Sequence, residues 1–136
     1  MSGRRWWATR LAGMAQDAPA LIEQAVHAFL EEVPALKPMK LIVGVDLHGR
    51  GDTQQFRLEL PQAEVRRDIA ADARVRLEMR RDFFNAMVEN GAKVADWREA
   101  FTYGQAKATG VEQYMRLIVN VVERQEERSR TRKARH

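Results

Sequence analysis

The side chains that could perform chemistry are few and scattered along this sequence. The three histidines, His27, His48 and His136, lack the spacing of zinc ligands, and the chain has no cysteine. Serine occurs only at Ser2 and Ser129, both outside the predicted core, so a buried serine nucleophile with a histidine base is not predicted. The sequence therefore presents no reaction centre, and we predict a protein without catalytic activity, metal or cofactor.

Two further patterns could be interpreted as functional sites. Asp96 and Glu99 could share a helix face and act as a pair of catalytic carboxylates. We favour the simpler interpretation that both are surface carboxylates in contact with water. Arg50-Gly51-Asp52 spells an integrin-binding tripeptide, yet glycine and aspartate at this place are typical of a tight turn. The sequence also has no glycine-rich phosphate-binding motif and no EF-hand motif.

The positive charge of the chain is concentrated at its ends. The net charge is +4 over 136 residues, and residues 1–16 and 123–136 carry +3 each, which leaves −2 on the remainder. A nearly neutral body argues against a nucleic-acid-binding core, and salt-sensitive binding through the basic ends is the weakest hypothesis. No apolar run approaches the ~20 residues that span a bilayer. Because Arg10 interrupts the only stretch that resembles a signal peptide, we predict a cytoplasmic location.

Helical periodicity is present in the first and last thirds of the chain. Residues 4–15 predict a short helix with apolar side chains on one face, and Asp17 is the expected N-cap of a second helix to about Val33. After the middle of the chain, the pattern predicts helices over about 82–89, 94–101 and 111–128. We therefore expect three regions: a basic, Trp-containing N-terminal helix (1–16), a globular domain (17–128) and a disordered basic tail (129–136).

The pattern changes to strands in the middle of the chain. Apolar and polar residues alternate over 56–60 and 75–79, whereas 39–47 is mostly apolar and precedes a glycine-rich turn. Segments 63–69 and 105–109 are the remaining predicted strands. Charged residues on alternate strand positions indicate one solvated sheet face, with the helices gathered on the other. This arrangement is an α+β fold.

The second half of the chain resembles a known family. A strand over 73–79 leads into Asp82-Phe83-Phe84, Gly91 interrupts the helix, and Glu99-Ala100-Phe101 ends the next one. A short strand framed by glycines, 104–110, then precedes the last helix. In this element order the chain is similar to the sterol carrier protein 2 family, over roughly residues 39–122.

The resemblance implies a five-stranded, mostly antiparallel sheet with helices on one face and an apolar tunnel between the layers. It also implies sterols, fatty acyl chains, acyl-CoAs or other lipids as ligands. Ten residues would line the tunnel or, alternatively, pack a solid core: Phe83, Phe84, Met87, Val88, Trp97, Phe101, Tyr114, Leu117, Ile118 and Val121.

Two functional hypotheses follow from this resemblance. The first is non-catalytic binding and transfer of a lipid held in the tunnel. The alternative is an accessory or scaffold module that docks with enzymes of lipid, steroid or quinone metabolism, using Trp6, Trp7 and the basic ends. Residues 4–14 could in addition contact an anionic membrane surface, because tryptophan favours the interface and arginine attracts the headgroups.

Overall fold

The structure, a computed structural model, describes residues 18–135. The helices are α1 (Ala18–Glu32), α2 (Arg81–Glu89), α3 (Val94–Thr102) and α4 (Glu112–Arg135), with a short 3₁₀ helix at Pro34–Leu36. The strands are β1 (Leu41–His48), β2 (Thr53–Leu60), β3 (Glu64–Arg67), β4 (Val75–Arg80) and β5 (Ala106–Gly110). The predicted helix over 4–15, the proposed membrane contact at 4–14 and the expected cap Asp17 lie outside the described residues. None of the described helices is both long and apolar enough to span a membrane.

The strands form one mixed sheet in the order β3-β2-β1-β4-β5. β1 pairs in parallel with β4, and every other neighbouring pair is antiparallel. The predicted hairpin is confirmed as β1 and β2, whose turn uses a positive φ of 80° at Gly51. The prediction of an α+β fold with a five-stranded, mostly antiparallel sheet is therefore confirmed.

The two faces of the sheet differ because successive strand residues point to opposite sides. On one face, Val43 of β1 lies between Leu58 of β2 and Val75 of β4, and all three are buried. These side chains share one core cluster with residues of α1, α2 and α3, and α4 packs at its margin. All four helices therefore cover the apolar face.

The other face of the sheet carries a hydrogen-bonded polar cluster. Arg76 of β4 donates to the carboxylate of Asp46 at 2.8 Å and to the carbonyl oxygens of Ile69 and Ala70 at 2.7 and 3.0 Å. Its guanidinium lies over Gly44, where an added Cβ would come within 2.8 Å of Nη1. Because Gly44 has no side chain, the guanidinium of Arg76 can pack directly against the sheet at this position.

The last helix is longer than the sequence pattern predicts. We expected it to end near Arg128 and a disordered tail to follow, whereas α4 continues to Arg135. Five of the seven added residues, 129–135, are arginine, lysine or alanine, and these residue types have high intrinsic helix propensity. Just before these turns, Arg98 of α3 forms ion pairs with Glu126 at 2.6 Å and Glu123 at 3.7 Å, which hold the preceding part of α4 against α3.

The third strand is shorter than predicted, at 64–67 instead of 63–69. Ala63 precedes the strand with a φ of 60°, a left-handed conformation that a strand residue does not adopt. At the other end, the carboxylate of Asp68 accepts a hydrogen bond from the amide of Ala70 at 3.2 Å. This local turn ends the pairing with β2.

Candidate functional site

A cavity of about 230 Å³ lies between the apolar face of the sheet and the helices. Eighteen residues line it, and every one of them has an aliphatic, aromatic or thioether side chain. Strand alternation forms its floor and the helices form its cover, so the site follows from the way the two layers pack.

The three central strands of the sheet supply the floor. Strand partners such as Val43 and Leu58 lie side by side and point to the same face. Alternate residues along part of each strand therefore reach the cavity, while Leu47 and Phe56 on the same face are fully buried outside it. The floor consists of Leu41, Val43, Val45, Leu58, Leu60, Val75, Leu77 and Met79.

The cover comes mostly from α1, with single contributions from later elements. Helix α1 contributes Ile22, Ala25, Val26, Phe29 and Leu30, which recur at helical spacing on one face. The remaining cover residues are Met39, Phe84, Trp97, Phe101 and Ile118. The rings of Phe84 and Trp97 lie 6.1 Å apart at an interplanar angle of 40°, within the range of favourable aromatic pairs.

This lining can bury an apolar chain but cannot hold a charge. At the ~30 Å³ that a water molecule occupies in the liquid, a volume of 230 Å³ corresponds to about eight groups of that size. Each methylene moved there from water gains ~0.8 kcal/mol. A carboxylate or phosphate in the same space would lose its hydration without a partner. The polar end of an amphipathic ligand therefore belongs outside the cavity.

The structure brings together four of the ten residues that the sequence nominated. Phe84, Trp97, Phe101 and Ile118 line the cavity. Ligand binding by them remains a prediction.

The other six nominated residues lie elsewhere. Phe83 and Met87 line a separate surface hollow beside α3. Val88 is buried, and it also lines a surface groove between α1 and α2. Tyr114 and Leu117 border a hollow on the outer side of α4, and Leu117 is 48% exposed; Val121 packs in a second core cluster.

The sequence reasoning did not nominate the floor residues or those of α1. The signals were present, since Ile22, Val26, Phe29 and Leu30 keep helical spacing and the strands alternate. The ten predicted tunnel residues all lie in the helices from Phe83 onward, because they were implied by the family resemblance. The spacing of α1 indicated burial without indicating which layer it would cover.

The titratable groups with perturbed pKa values lie away from the cavity. The guanidinium of Arg57 donates hydrogen bonds to Asp72, which lowers the pKa of that carboxyl group. The backbone amide of Phe83 lowers the pKa of Asp82 in the same way. Across residues 18–135, no three histidine, aspartate or glutamate side chains are placed to hold a metal ion.

The chain was compared with known families, curated proteins and solved structures. No family model matches, and no curated protein matches. Among solved structures, the chain is similar to palmitated SCP2L2 from Aedes aegypti, at 15% identity and a TM-score of 0.48, covering 71% of this chain and 93% of that one. It is also similar to the apo form of sterol carrier protein 2 from Yarrowia lipolytica, at 22% identity and a TM-score of 0.45, covering 59% and 70%. A third similar structure, the UbiJ-SCP2 ubiquinone synthesis protein, has 17% identity, a TM-score of 0.49 and coverage of 79% and 94%.

Proposed function

We propose that this protein is a non-catalytic carrier that binds the apolar part of a lipid in the cavity between its sheet and its helices. The observation that carries the proposal is the lining itself: about 230 Å³ surrounded by eighteen apolar residues. A protein interior is normally packed without space for several methylene groups. Such a space in a small domain is therefore a candidate binding site.

The mechanism requires burial and release without bond chemistry. A chain of eight methylenes would gain ~6 kcal/mol from burial, before the losses of motional freedom on binding. No cavity-lining side chain can accept or donate a proton at neutral pH, so the bound chain is held by packing alone. The methionines Met39 and Met79 adapt their shape to irregular ligands, which suits a carrier of several related lipids.

Native mass spectrometry of freshly purified protein, followed by organic extraction and lipid identification, tests this function. We expect a co-purifying lipid near one per chain, or uptake of one 1-decanol per chain after incubation. A clean apo mass with no uptake from a broad panel of lipids would overturn the proposal. That result would favour the docking module that the sequence suggested as the alternative.

A further inference from the structure

A surface groove of about 370 Å³ between α1 and the α2–α3 connection adjoins the cavity. Ala25 of α1 and Trp97 of α3 line both spaces, so they form the wall between them. The hollow beside Phe83 and the hollow beside Leu117 share no lining residue with the cavity. Of these three surface hollows, the groove is therefore the one that shares lining residues with the cavity.

The shared wall consists of two side chains. Ala25 presents only a methyl group, and Trp97 is half-buried with its ring against Phe84. A rotation of the indole away from Phe84 would join the groove to the cavity without unfolding a helix. Side-chain rotations of this kind are fast compared with local unfolding.

The charges around the groove disfavour an anionic headgroup. Of the described residues that line the groove, Glu31 and Glu32 are acidic and Lys93 is basic. Lys37 lies 3.8 Å from Glu31 and offsets part of its charge. The lining therefore has a formal charge of −1, so a ligand carboxylate gains no net attraction from it.

Two backbone amides at the start of α3 already have partners. The N-terminus of a helix normally attracts anions through its free amides. Here the amide of Val94 donates to the carboxylate of Glu32 at 3.1 Å, and the amide of Lys93 donates to Asp96 at 2.8 Å. Both amides already have anionic partners, whereas a ligand hydroxyl group could still donate a hydrogen bond to a free carboxylate oxygen.

Building on the proposed function, we propose that the lipid enters and leaves through this groove, past Ala25 and Trp97, and that its polar end is uncharged and donates hydrogen bonds. A long-chain alcohol or a comparable hydroxyl-bearing lipid has this chemistry. A fatty acid or an acyl-CoA, with its charged end, does not.

The headgroup preference is tested with two probes of equal chain length, 1-decanol and decanoate, by isothermal titration calorimetry at neutral pH. We expect decanol to bind about tenfold more tightly, the effect of one unfavourable charge contact near a protein surface. The double variant Glu31→Gln/Glu32→Gln should reduce this preference to about threefold or less. The amide that replaces the carboxylate of Glu32 retains an oxygen acceptor for the backbone amide of Val94, so the start of α3 keeps its hydrogen bond. The matched control is Glu23→Gln on the same helix, which lies outside the groove lining and should leave the preference unchanged.

The access route is tested by the exchange rate of 1-decanol, measured by NMR exchange spectroscopy. Ala25→Leu should slow exchange at least tenfold by thickening the wall, and Trp97→Phe should accelerate it. Ala86→Leu, an exposed helical position outside the groove and the cavity, is the control for the added side-chain bulk. Ala25→Leu and Trp97→Phe are expected to shift the exchange rate in opposite directions. A loss of stability common to both variants would therefore not produce the expected result.

The outcomes separate this inference from the proposed function. If neither probe binds, the proposed function fails. If both bind but decanoate binds as tightly as decanol, or the wall variants leave exchange unchanged, the proposed function stands and this inference is overturned.

Discussion

Replacing Val43 by phenylalanine tests whether the space under the helices is empty. Val43 is 5% exposed and lies in the central strand, with Leu58 and Val75 as its neighbours on the cavity floor. Its side chain points into the cavity, so the ring of Val43→Phe would occupy that space. The substitution should therefore weaken ligand binding strongly while the fold remains intact.

The size of the effect can be estimated from the volume of the cavity. Phenylalanine adds four carbon atoms to valine, at most ~120 Å³ at ~30 Å³ per water-sized group, about half of the 230 Å³. A bound chain would lose the burial of about four methylenes, ~3 kcal/mol, which corresponds to about 200-fold weaker binding. The ring enters empty space, so the free energy of unfolding should fall by less than ~1 kcal/mol. In a filled core, the same change would cost about 1–3 kcal/mol.

Isothermal titration with 1-decanol and urea unfolding measure these two quantities. Ile42→Phe is the matched control, because Ile42 adjoins Val43 in β1 but points to the opposite sheet face. This control should bind 1-decanol like the natural sequence. If Val43→Phe lowers the free energy of unfolding by about 1–3 kcal/mol and leaves binding unchanged, the space is packed and the cavity argument is refuted.

Three further predictions concern the polar face and the sheet edge. Arg76→Met removes the partner of Asp46, whose side chain is only 13% exposed, and should lower the free energy of unfolding by about 2 kcal/mol; an unchanged urea midpoint would contradict this. Gly110→Ala should destabilise by about 2–3 kcal/mol, because Gly110 has a φ of 147° and an added Cβ would overlap the carbonyl group that precedes β4; thermal unfolding at the natural midpoint would refute this. The hydrogen bond from Arg57 lowers the pKa of Asp72 in the folded state, so its stabilising effect exists above the unfolded-state pKa and disappears as the pH falls through the folded-state pKa. Asp72→Asn should therefore lower stability at neutral pH but not in strong acid, and equal losses in urea unfolding at both pH values would rule this out.

The fold could be predicted from local patterns that survive in the structure. The alternation of apolar and polar residues over 75–79 indicated a strand, which is present as β4. The turn after His48 indicated a hairpin, which is present as β1 and β2. The parallel pairing of β1 with β4 follows from long-range packing, which no local pattern specifies. The length of α4 was underestimated because the highly charged segment after Arg128 was interpreted as disordered, whereas its arginine, lysine and alanine residues have the helix propensity to continue the helix.

The cavity itself could be predicted only in part. Apolar stripes such as those that contain Phe84 in α2 and Ile118 in α4 show that a helix face is buried, but the same stripe is compatible with a filled core or a hollow one. Whether space remains depends on the summed volumes of residues from α1, three strands and three later elements. Leu117 illustrates the same limit, because its spacing placed it on the apolar stripe while it lies at the exposed margin of α4.

The position of α1 ahead of the strands has a consequence for biosynthesis. When the ribosome has completed β1–β3, α1 is the only described α-helix available to shield the apolar side of the sheet, and the β1 edge that pairs with β4 is still open. Residues 68–135, which include helices α2 to α4, are synthesised after β3, so at about 5–20 residues per second the nascent sheet remains only partly covered for roughly 3–14 s. During that interval a hydrophobic surface and an unpaired strand edge are exposed together, a combination that promotes aggregation. Loss of α1 packing should therefore reduce the yield of folded protein in the cell more than its effect on equilibrium stability would suggest.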